Sequence, residues 1–170
     1  MANLLHHIKP SYQTCLAIAN ALYGDQQRID FSERYLPENQ KFENPKVLDA
    51  AKYLFEDDSI IHFWSVMDDS SAKEIGYILI TNLPHHNAIG YSIDVNYANQ
   101  GIMKKALKSM LNQIVELNIK LPLHVYTNKN NLPSIKLLKS LKFNFVEIVE
   151  DPPGIEEEFK LGTLKHFAWT

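Results

Sequence analysis

The stretch Asn96-Tyr97-Ala98-Asn99-Gln100-Gly101-Ile102-Met103-Lys104-Lys105 decides the fold. An apolar strand predicted over 89–95 runs into this polar turn, and an amphipathic helix follows directly after Gly101. The first backbone N–H groups of a helix have no partner within the helix and carry a partial positive charge. The turn therefore predicts a seat for a phosphate group, which points to a phosphorylated cofactor.

Composition indicates one globular domain spanning residues 1–170. The chain has 170 residues, of which 45% are apolar, and this is ample for a single core. No stretch approaches the roughly 18 consecutive apolar residues of a membrane span, and the N-terminus lacks the pattern of a signal peptide. The single cysteine, Cys15, suits a reducing compartment. We therefore expect a cytoplasmic protein without membrane contact.

The positive charge is concentrated in one segment. Residues 101–142 hold eight lysines and one acid, a charge of +7, so the remainder carries −10 to give the net −3. A local basic patch on an acidic body suits one compact anion better than a nucleic acid, which favours a broadly basic domain. The alternative is that these lysines only line the solvent faces of two helices.

The order of elements indicates an α+β fold. Hydrophobic periodicity predicts a helix over 12–22, a helix opened by Asn44 and Pro45, a long helix carrying apolar residues from Met103 to Leu117, and a helix over 132–141. Segment 31–42 is either a short helix or a loop. Alternation and turn signals predict strands over 60–67, 74–81, 88–95, 121–126, 143–149 and 164–169, with a hairpin turn at 68–71 and an acidic loop over 150–158.

Two motifs in this order resemble the GNAT superfamily of N-acetyltransferases. The first is the strand–turn–helix Ile-Gly-Tyr-Ser-Ile-Asp-Val-Asn-Tyr-Ala-Asn-Gln-Gly-Ile-Met over 89–103, and the second is Asn131-Leu132-Pro133-Ser134 with the apolar helix behind it. The resemblance covers about two thirds of the chain and looks closest to the ribosomal-protein N-terminal acetyltransferase branch. It implies a mixed, mostly antiparallel central sheet with splayed middle strands, flanked by helices.

The resemblance also implies acetyl-CoA as cofactor, with CoA as product, and assigns residues to it. Backbone groups of Ile93, Asp94 and Val95 would meet the thioester and the pantetheine arm. Asn131 and Ser134 would touch the arm or the leaving thiol from the opposite wall. The pyrophosphate would be held by backbone amides of Asn99, Gln100, Gly101, Ile102 and Met103. Our own inference from charge adds Lys104, Lys105 or Lys136 near the adenosine phosphates.

The chain departs from the family pattern at four positions. Ala98 stands where glutamine or arginine is usual, and Met103 stands where a second glycine or alanine is usual. Lys142 replaces the glycine before Phe143, so we expect that turn to be built differently. The tyrosine that often serves as general acid falls at Leu138, which leaves Ser134 or water for that role.

Acetyl transfer requires a base for the acceptor amine, and the candidates are few. Asp94 is the only carboxylate on the predicted strand 88–95, so it is the first candidate. Glu74, or a water held by Tyr91 or Ser92, can substitute. A purely structural role for Asp94, as a cap or an ion-pair partner, is an equal alternative.

Histidines and the cysteine suggest no metal chemistry. Adjacent pairs such as His6-His7 point to opposite sides of a strand, and the pair His85-His86 lies in a turn, where exposure is expected. The spacing of a metal motif is missing, so we predict no metal site. We expect Cys15 in a helix core, and we expect three histidines to be half-buried in separate strands: His62, His124 and His166.

These observations predict an acetyl-CoA-dependent N-acetyltransferase acting by direct transfer. The acceptor is a primary amine, either a protein N-terminus or a small amine. The alternative is a catalytically impaired CoA-binding module, which the departures at Ala98, Leu138 and Lys142 favour. An enzyme acting on nucleic acid is disfavoured by the acidic remainder of the chain. The sequence allows a monomer or a homodimer.

Overall fold

The computed structural model describes residues 4–35, 46–150 and 163–170, whose strands form one seven-stranded sheet. In chain order these strands are β1 (Leu5–His7), β2 (Ile60–Met67), β3 (Glu74–Asn82), β4 (Asn87–Ile93), β5 (Leu123–Asn128), β6 (Asn144–Val149) and β7 (Leu164–Trp169). In space they follow the order β1-β2-β3-β4-β5-β7-β6. All neighbouring pairs are antiparallel except β4 and β5, which are parallel. The predicted α+β class and mixed sheet are confirmed.

Helices cover both faces of the sheet. Successive side chains of a strand point in opposite directions, so each face carries side chains that pack against helices. They are α1 (Tyr12–Tyr23), α2 (Gln26–Glu33), α3 (Lys46–Glu56), α4 (Ile102–Asn112) and α5 (Leu132–Ser140), with a 3-10 helix at Val95–Tyr97. Ile78 and Ile80 of β3 belong to the core built with α4 and α5. Leu79, between them, belongs to the core built with α1 and α3.

The middle of the sheet opens between β4 and β5. Their pairing is limited to Asn87 with Leu123 and Ala88 with His124. Beyond these two pairs β4 continues to Ile93 and β5 to Asn128, but the two strands no longer pair with each other. The backbone groups on their facing edges therefore border a gap. The splayed middle strands are therefore present as predicted.

Most predicted elements are found close to their predicted ends. Strands 60–67 and 164–169 match β2 and β7 at both ends, and α1 and α5 match to within one residue. β5 begins at Leu123 rather than 121, because Pro122 has no N–H to give to a ladder. The long predicted helix ends at Asn112, five residues before Leu117. β1 was not predicted, since three residues carry too little periodicity.

The prediction for strand 88–95 is wrong at its end. β4 stops at Ile93, and Asp94 accepts a hydrogen bond from the Asn96 amide and so begins the 3-10 helix. Val95 therefore lies outside the strand. The predicted cap at Asn44 and Pro45, the end of segment 31–42 and most of the acidic loop 150–158 lie outside the described residues.

The turn after α5 keeps a glycine-like backbone without glycine. Lys142 adopts a φ of 65°, its amide bonds the carbonyl of Lys139, and the amide of Phe143 bonds the carbonyl of Leu138. This is the Schellman arrangement, in which the left-handed residue is usually glycine. The expectation that Lys142 requires a different turn is wrong, because the lysine itself adopts the left-handed conformation.

Candidate active site

The turn between β4 and α4 presents unpaired backbone donors. Two residues there have positive φ, Asn99 at 59° and Gly101 at 76°. Gly101 is the N-cap of α4, and no side chain accepts a hydrogen bond from the first turn of that helix. A Cβ added at Gly101 would meet nothing within 4 Å. The first amides of α4 therefore face open space, which is the geometry of an anion seat.

A cavity of about 450 Å³ lies against this turn and the start of α5. Lys104 and Lys136 also line it, whereas Lys105 does not. Val95 and Gln100 are not on its wall, and the Gln100 side chain donates to the Asn96 carbonyl instead. Met103 is buried in the core, as a bulky residue at this position requires. The remaining residues that the resemblance assigns to the cofactor all lie on the wall: Ile93, Asn99, Gly101, Ile102, Met103, Asn131 and Ser134.

Tyr91 and Ser134 meet where β4 and β5 part. The Tyr91 and Ser134 hydroxyl oxygens are 2.5 Å apart. The cap of α5 holds Ser134 there, because its amide donates to the Asn131 side chain at 3.2 Å. Burial raises the pKa of Tyr91 to about 12, so the phenol stays protonated at neutral pH. The sequence predicts only that Tyr91 positions a water, because strand alternation does not reveal a partner 43 residues away.

Asp94 is engaged on both carboxylate oxygens. Oδ1 accepts from the Asn96 amide at 2.9 Å and from its side chain at 3.1 Å, while Oδ2 accepts from the Arg28 guanidinium at 3.3 and 3.4 Å. Asp94 is 5% exposed and does not line the cavity. Arg28 also pairs with Asp25 at the start of α2. Sequence reasoning missed Arg28, because nothing in the spacing links α2 to the end of β4.

A second cavity of about 300 Å³ continues along β4 and β5. It shares five wall residues with the first cavity: Ser32, Tyr35, Tyr91, Asn131 and Ser134. Its other described walls include Tyr77 and Tyr126, and they carry no charged side chain. At the mouth of the first cavity, Arg34 stacks on Phe31 and Tyr35 at 3.7 and 4.7 Å from the ring centres.

Three histidines form a cluster at the far end of the second cavity. His124 and His166 share a hydrogen bond of 2.6 Å, and the His86 ring lies 4.3 Å from that of His124. The Tyr126 hydroxyl is 3.0 Å from His86 Nε2. The predicted exposure is wrong for His86, which is half-buried, and correct for His85, while His166 is buried rather than half-buried. Within the described residues, no three His, Cys, Asp or Glu side chains are arranged to hold a metal ion.

The wall of the first cavity fits a coenzyme with a phosphorylated head and a linear amide arm. Free amides at Gly101 and Ile102 and the ammonium groups of Lys104 and Lys136 offer donors to phosphate. The unpaired backbone of Ile93 faces the gap beside Ser134. Donors thus lie at the turn, and an extended groove leads from them to the Tyr91–Ser134 pair.

Comparison with known proteins identifies the family. Residues 17–144 match the family model described as an acetyltransferase (GNAT) domain. Because this match spans three quarters of the chain, the protein belongs to the GNAT acetyltransferase family. Members of this family use acetyl-CoA as acetyl donor. No curated protein sequence matches this chain significantly.

Solved structures share the fold at low identity. One is a ribosomal-protein-S5-alanine acetyltransferase from Vibrio fischeri, with a TM-score of 0.71, 16% identity and coverage of 99% of this chain and 94% of that one. A ribosomal L7/L12 α-N-protein acetyltransferase (RimL) in complex with coenzyme A has a TM-score of 0.73 at 11% identity, covering 99% and 94%. A microcin C7 self-immunity acetyltransferase (MccE) in complex with acetyl-CoA and AMP has a TM-score of 0.71 at 10% identity, covering 99% and 93%.

No helix of the described residues is both long enough and apolar enough to cross a membrane.

Proposed function

We propose that this protein transfers the acetyl group of acetyl-CoA directly to a primary amine, and that this amine is the N-terminus of a protein. The observation that carries the proposal is the pair of cavities meeting at Tyr91 and Ser134. One cavity offers phosphate donors, and the other is a separate space that opens onto the same two hydroxyls.

The first cavity supports the cofactor assignments. Backbone amides of Asn99, Gly101 and Ile102 and the Lys104 ammonium are suited to the pyrophosphate. Gln100 stays a prediction for the pyrophosphate and Val95 a prediction for the pantetheine arm, since neither lies on the wall. Bound acetyl-CoA supplies an activated acetyl group, and the unpaired amides of the β4 end are the groups suited to stabilise negative charge on its oxygen.

The hydroxyl pair supports a role as general acid. Ser134 was predicted as catalytic, and we now assign it a partner. Ser134 donates a proton to the leaving sulfur, and Tyr91 returns one to Ser134 through their 2.5 Å contact. Leu138 lies fully inside the core, so it leaves no room for a tyrosine at that position.

We assign Asp94 a positioning role and not the role of general base. Both carboxylate oxygens already accept hydrogen bonds from Arg28 or Asn96, and Asp94 is not on the cavity wall, so neither oxygen faces an acceptor amine. The carboxylate fixes the end of β4 against α2, and so it sets the position of the unpaired amides.

The second cavity supports an acceptor with a single amine rather than a polyamine. Its described walls are aromatic and amide-bearing, and no carboxylate of the described residues is on the wall of either cavity. A polycation needs such carboxylates. Two of the structural neighbours carry names of ribosomal-protein acetyltransferases, which is consistent with a protein N-terminus. Residues 1–170 as one domain and a cytoplasmic location remain part of the proposal, and the buried thiol of Cys15 is consistent with the latter.

The test has two stages. Isothermal titration with acetyl-CoA compares the native protein with Gly101→Glu and its neutral control Gly101→Gln, which share the backbone strain at φ 76°. We expect micromolar binding, a modest loss in the Gln variant and loss of binding in the Glu variant, because a carboxylate would enter the anion seat. An absence of binding by the native protein would refute the proposal.

The second stage is an acetylation assay with an amine panel. The panel contains short peptides beginning with alanine or serine, the same peptides with a blocked N-terminus and internal lysine, and spermidine. We expect turnover of the free N-terminal peptides only. Binding without turnover of any panel member would favour the CoA-binding module instead.

A further inference from the structure

The histidine cluster touches the second cavity through one residue. Tyr126 lines that cavity, its ring stacks on His166 at 4.6 Å, and its hydroxyl reaches His86 Nε2 at 3.0 Å. His86 lies in the turn between β3 and β4 and is half-buried, so part of the residue is exposed to solvent. Tyr126 and His86 therefore form a polar connection from the cavity to the surface.

We propose that Tyr126 and His86 carry the proton released by the acceptor amine from the second cavity to solvent. The inference rests on the proposed function, because only an amine bound in that cavity supplies the proton. It adds to that function a route for the proton that does not use Asp94, which is held by Arg28 and Asn96. Glu74 lies on the wall of neither cavity.

The number of protons that the acceptor amine loses requires such a route. An ammonium acceptor enters with three N–H protons, and the product amide keeps one. One of the two lost protons has to leave the cavity before the attack, because an ammonium nitrogen has no lone pair. Tyr126 accepts it on its oxygen while its own hydroxyl proton passes to His86 Nε2, and His86 then releases a proton to water. As the N–C bond forms and the C–S bond breaks, Ser134 protonates the leaving sulfur and Tyr91 reprotonates Ser134. The second amine proton returns to Tyr91, so both hydroxyls are restored.

The surroundings of His86 favour its uncharged form, which can accept a proton. Its pKa is lowered by burial first, and then by the nearby charges of His166 and His85. The pKa of His124 is lowered by burial, His86 and His166. Glu147 of β6 faces the cluster from the other side, with a carboxylate oxygen 3.5 Å from His166 Nδ1. At neutral pH His86 is therefore uncharged, and one of its ring nitrogens carries no proton and can accept one.

The experiment measures kcat and its pH profile for Tyr126→Phe and His86→Gln, using the panel member that the native protein acetylates fastest. His62→Gln is the matched control, because His62, like His86, is half-buried, contacts another aromatic ring and has a lowered pKa, but it touches no residue that lines either cavity through a hydrogen bond. Tyr126→Phe keeps the ring that stacks on His166. Thermal unfolding and the acetyl-CoA affinity report whether each variant is folded.

We expect kcat of both variants to fall roughly 10-fold in dilute buffer, which is less than the roughly 100-fold or more that a general acid or base contributes, because water replaces part of the route. Concentrated imidazole buffer should restore the rate, while the KM for acetyl-CoA stays unchanged and His62→Gln behaves as the native protein. An undiminished kcat, or a loss that buffer does not restore, overturns the route and leaves the proposed function intact. A native protein that acetylates no panel member overturns both.

Discussion

The hydroxyl oxygens of Tyr91 and Ser134 lie 2.5 Å apart although the two residues belong to a strand and a helix 43 positions apart in the chain. Two structural features make this contact possible. β4 and β5 separate after two pairs, and Asn131 begins α5 so that Ser134 lies in its first turn. The contact therefore depends on the splay of the sheet.

Removing either hydroxyl should lower the rate of acetyl transfer. We expect Ser134→Ala to reduce kcat roughly 100-fold and Tyr91→Phe less, with the double variant no worse than Ser134→Ala, because the two groups act as one donor. Steady-state kinetics with the best panel amine measures this. Ser140→Ala is the matched control, since Ser140 also lines the first cavity but donates to the Leu137 carbonyl. Additive losses would show that the hydroxyls act separately.

The link between Asp94 and Arg28 should affect stability more than chemistry. We expect Asp94→Asn to lower the free energy of unfolding by about 1.5 kcal/mol, the lower end for hydrogen bonds to charged groups, because the Arg28 distances are long. Urea unfolding measures this, and kcat should change little. Asp25→Asn, which keeps the cap of α2 but loses the more exposed ion pair, serves as the control. A loss in kcat of roughly 100-fold or more for Asp94→Asn would identify the carboxylate as the base.

Alkaline pH should destabilise the fold through Cys15. Burial raises the pKa of this thiol from an ordinary value of 9.0 to about 11, so between these values the unfolded chain loses the proton and the folded chain keeps it. The contribution to stability is thus present below pH 9 and is lost as pH rises towards 11. Urea unfolding at several pH values should show a smaller alkaline decline in Cys15→Ala than in the native protein. Equal declines would contradict the assignment.

Glycine at position 142 should stabilise the protein. Lys142 has a φ of 65°, which costs a non-glycine residue about 1 kcal/mol, and its side chain is exposed. We expect Lys142→Gly to raise the free energy of unfolding by up to about 1 kcal/mol. Lys139→Gly, at an exposed position within α5, should lower it by a similar amount. If both variants are destabilised, the left-handed conformation at 142 carries little strain.

The fold could be predicted from the sequence to a large degree because its elements are apolar segments separated by clear turn signals. β2 and β3 are mostly apolar runs on either side of a polar turn, and α4 begins directly after a glycine turn. The errors occur where a side chain competes with the backbone. Asp94 ends β4 by capping the residues after it, and Pro122 delays β5. Neither effect is visible in hydrophobic periodicity.

The candidate site was predictable only along two short stretches of the chain. The turn 96–105 and the motif at Asn131 and Ser134 predicted the wall of the first cavity. The partners that act across the sheet were not predicted, because Arg28, Tyr126 and His86 come from separate segments without a shared spacing. Their juxtaposition depends on strand order, which brings β5 next to β4.

Because five residues line both cavities, the cofactor side and the acceptor side of the site share one wall. A single molecule that joins coenzyme A to a peptide N-terminus would fill both cavities at once. Such a conjugate should bind more tightly than either half alone, since the second half pays no further loss of translational freedom. It would also hold the region between the two cavities, where Tyr91 and Ser134 meet, in the conformation used for acetyl transfer.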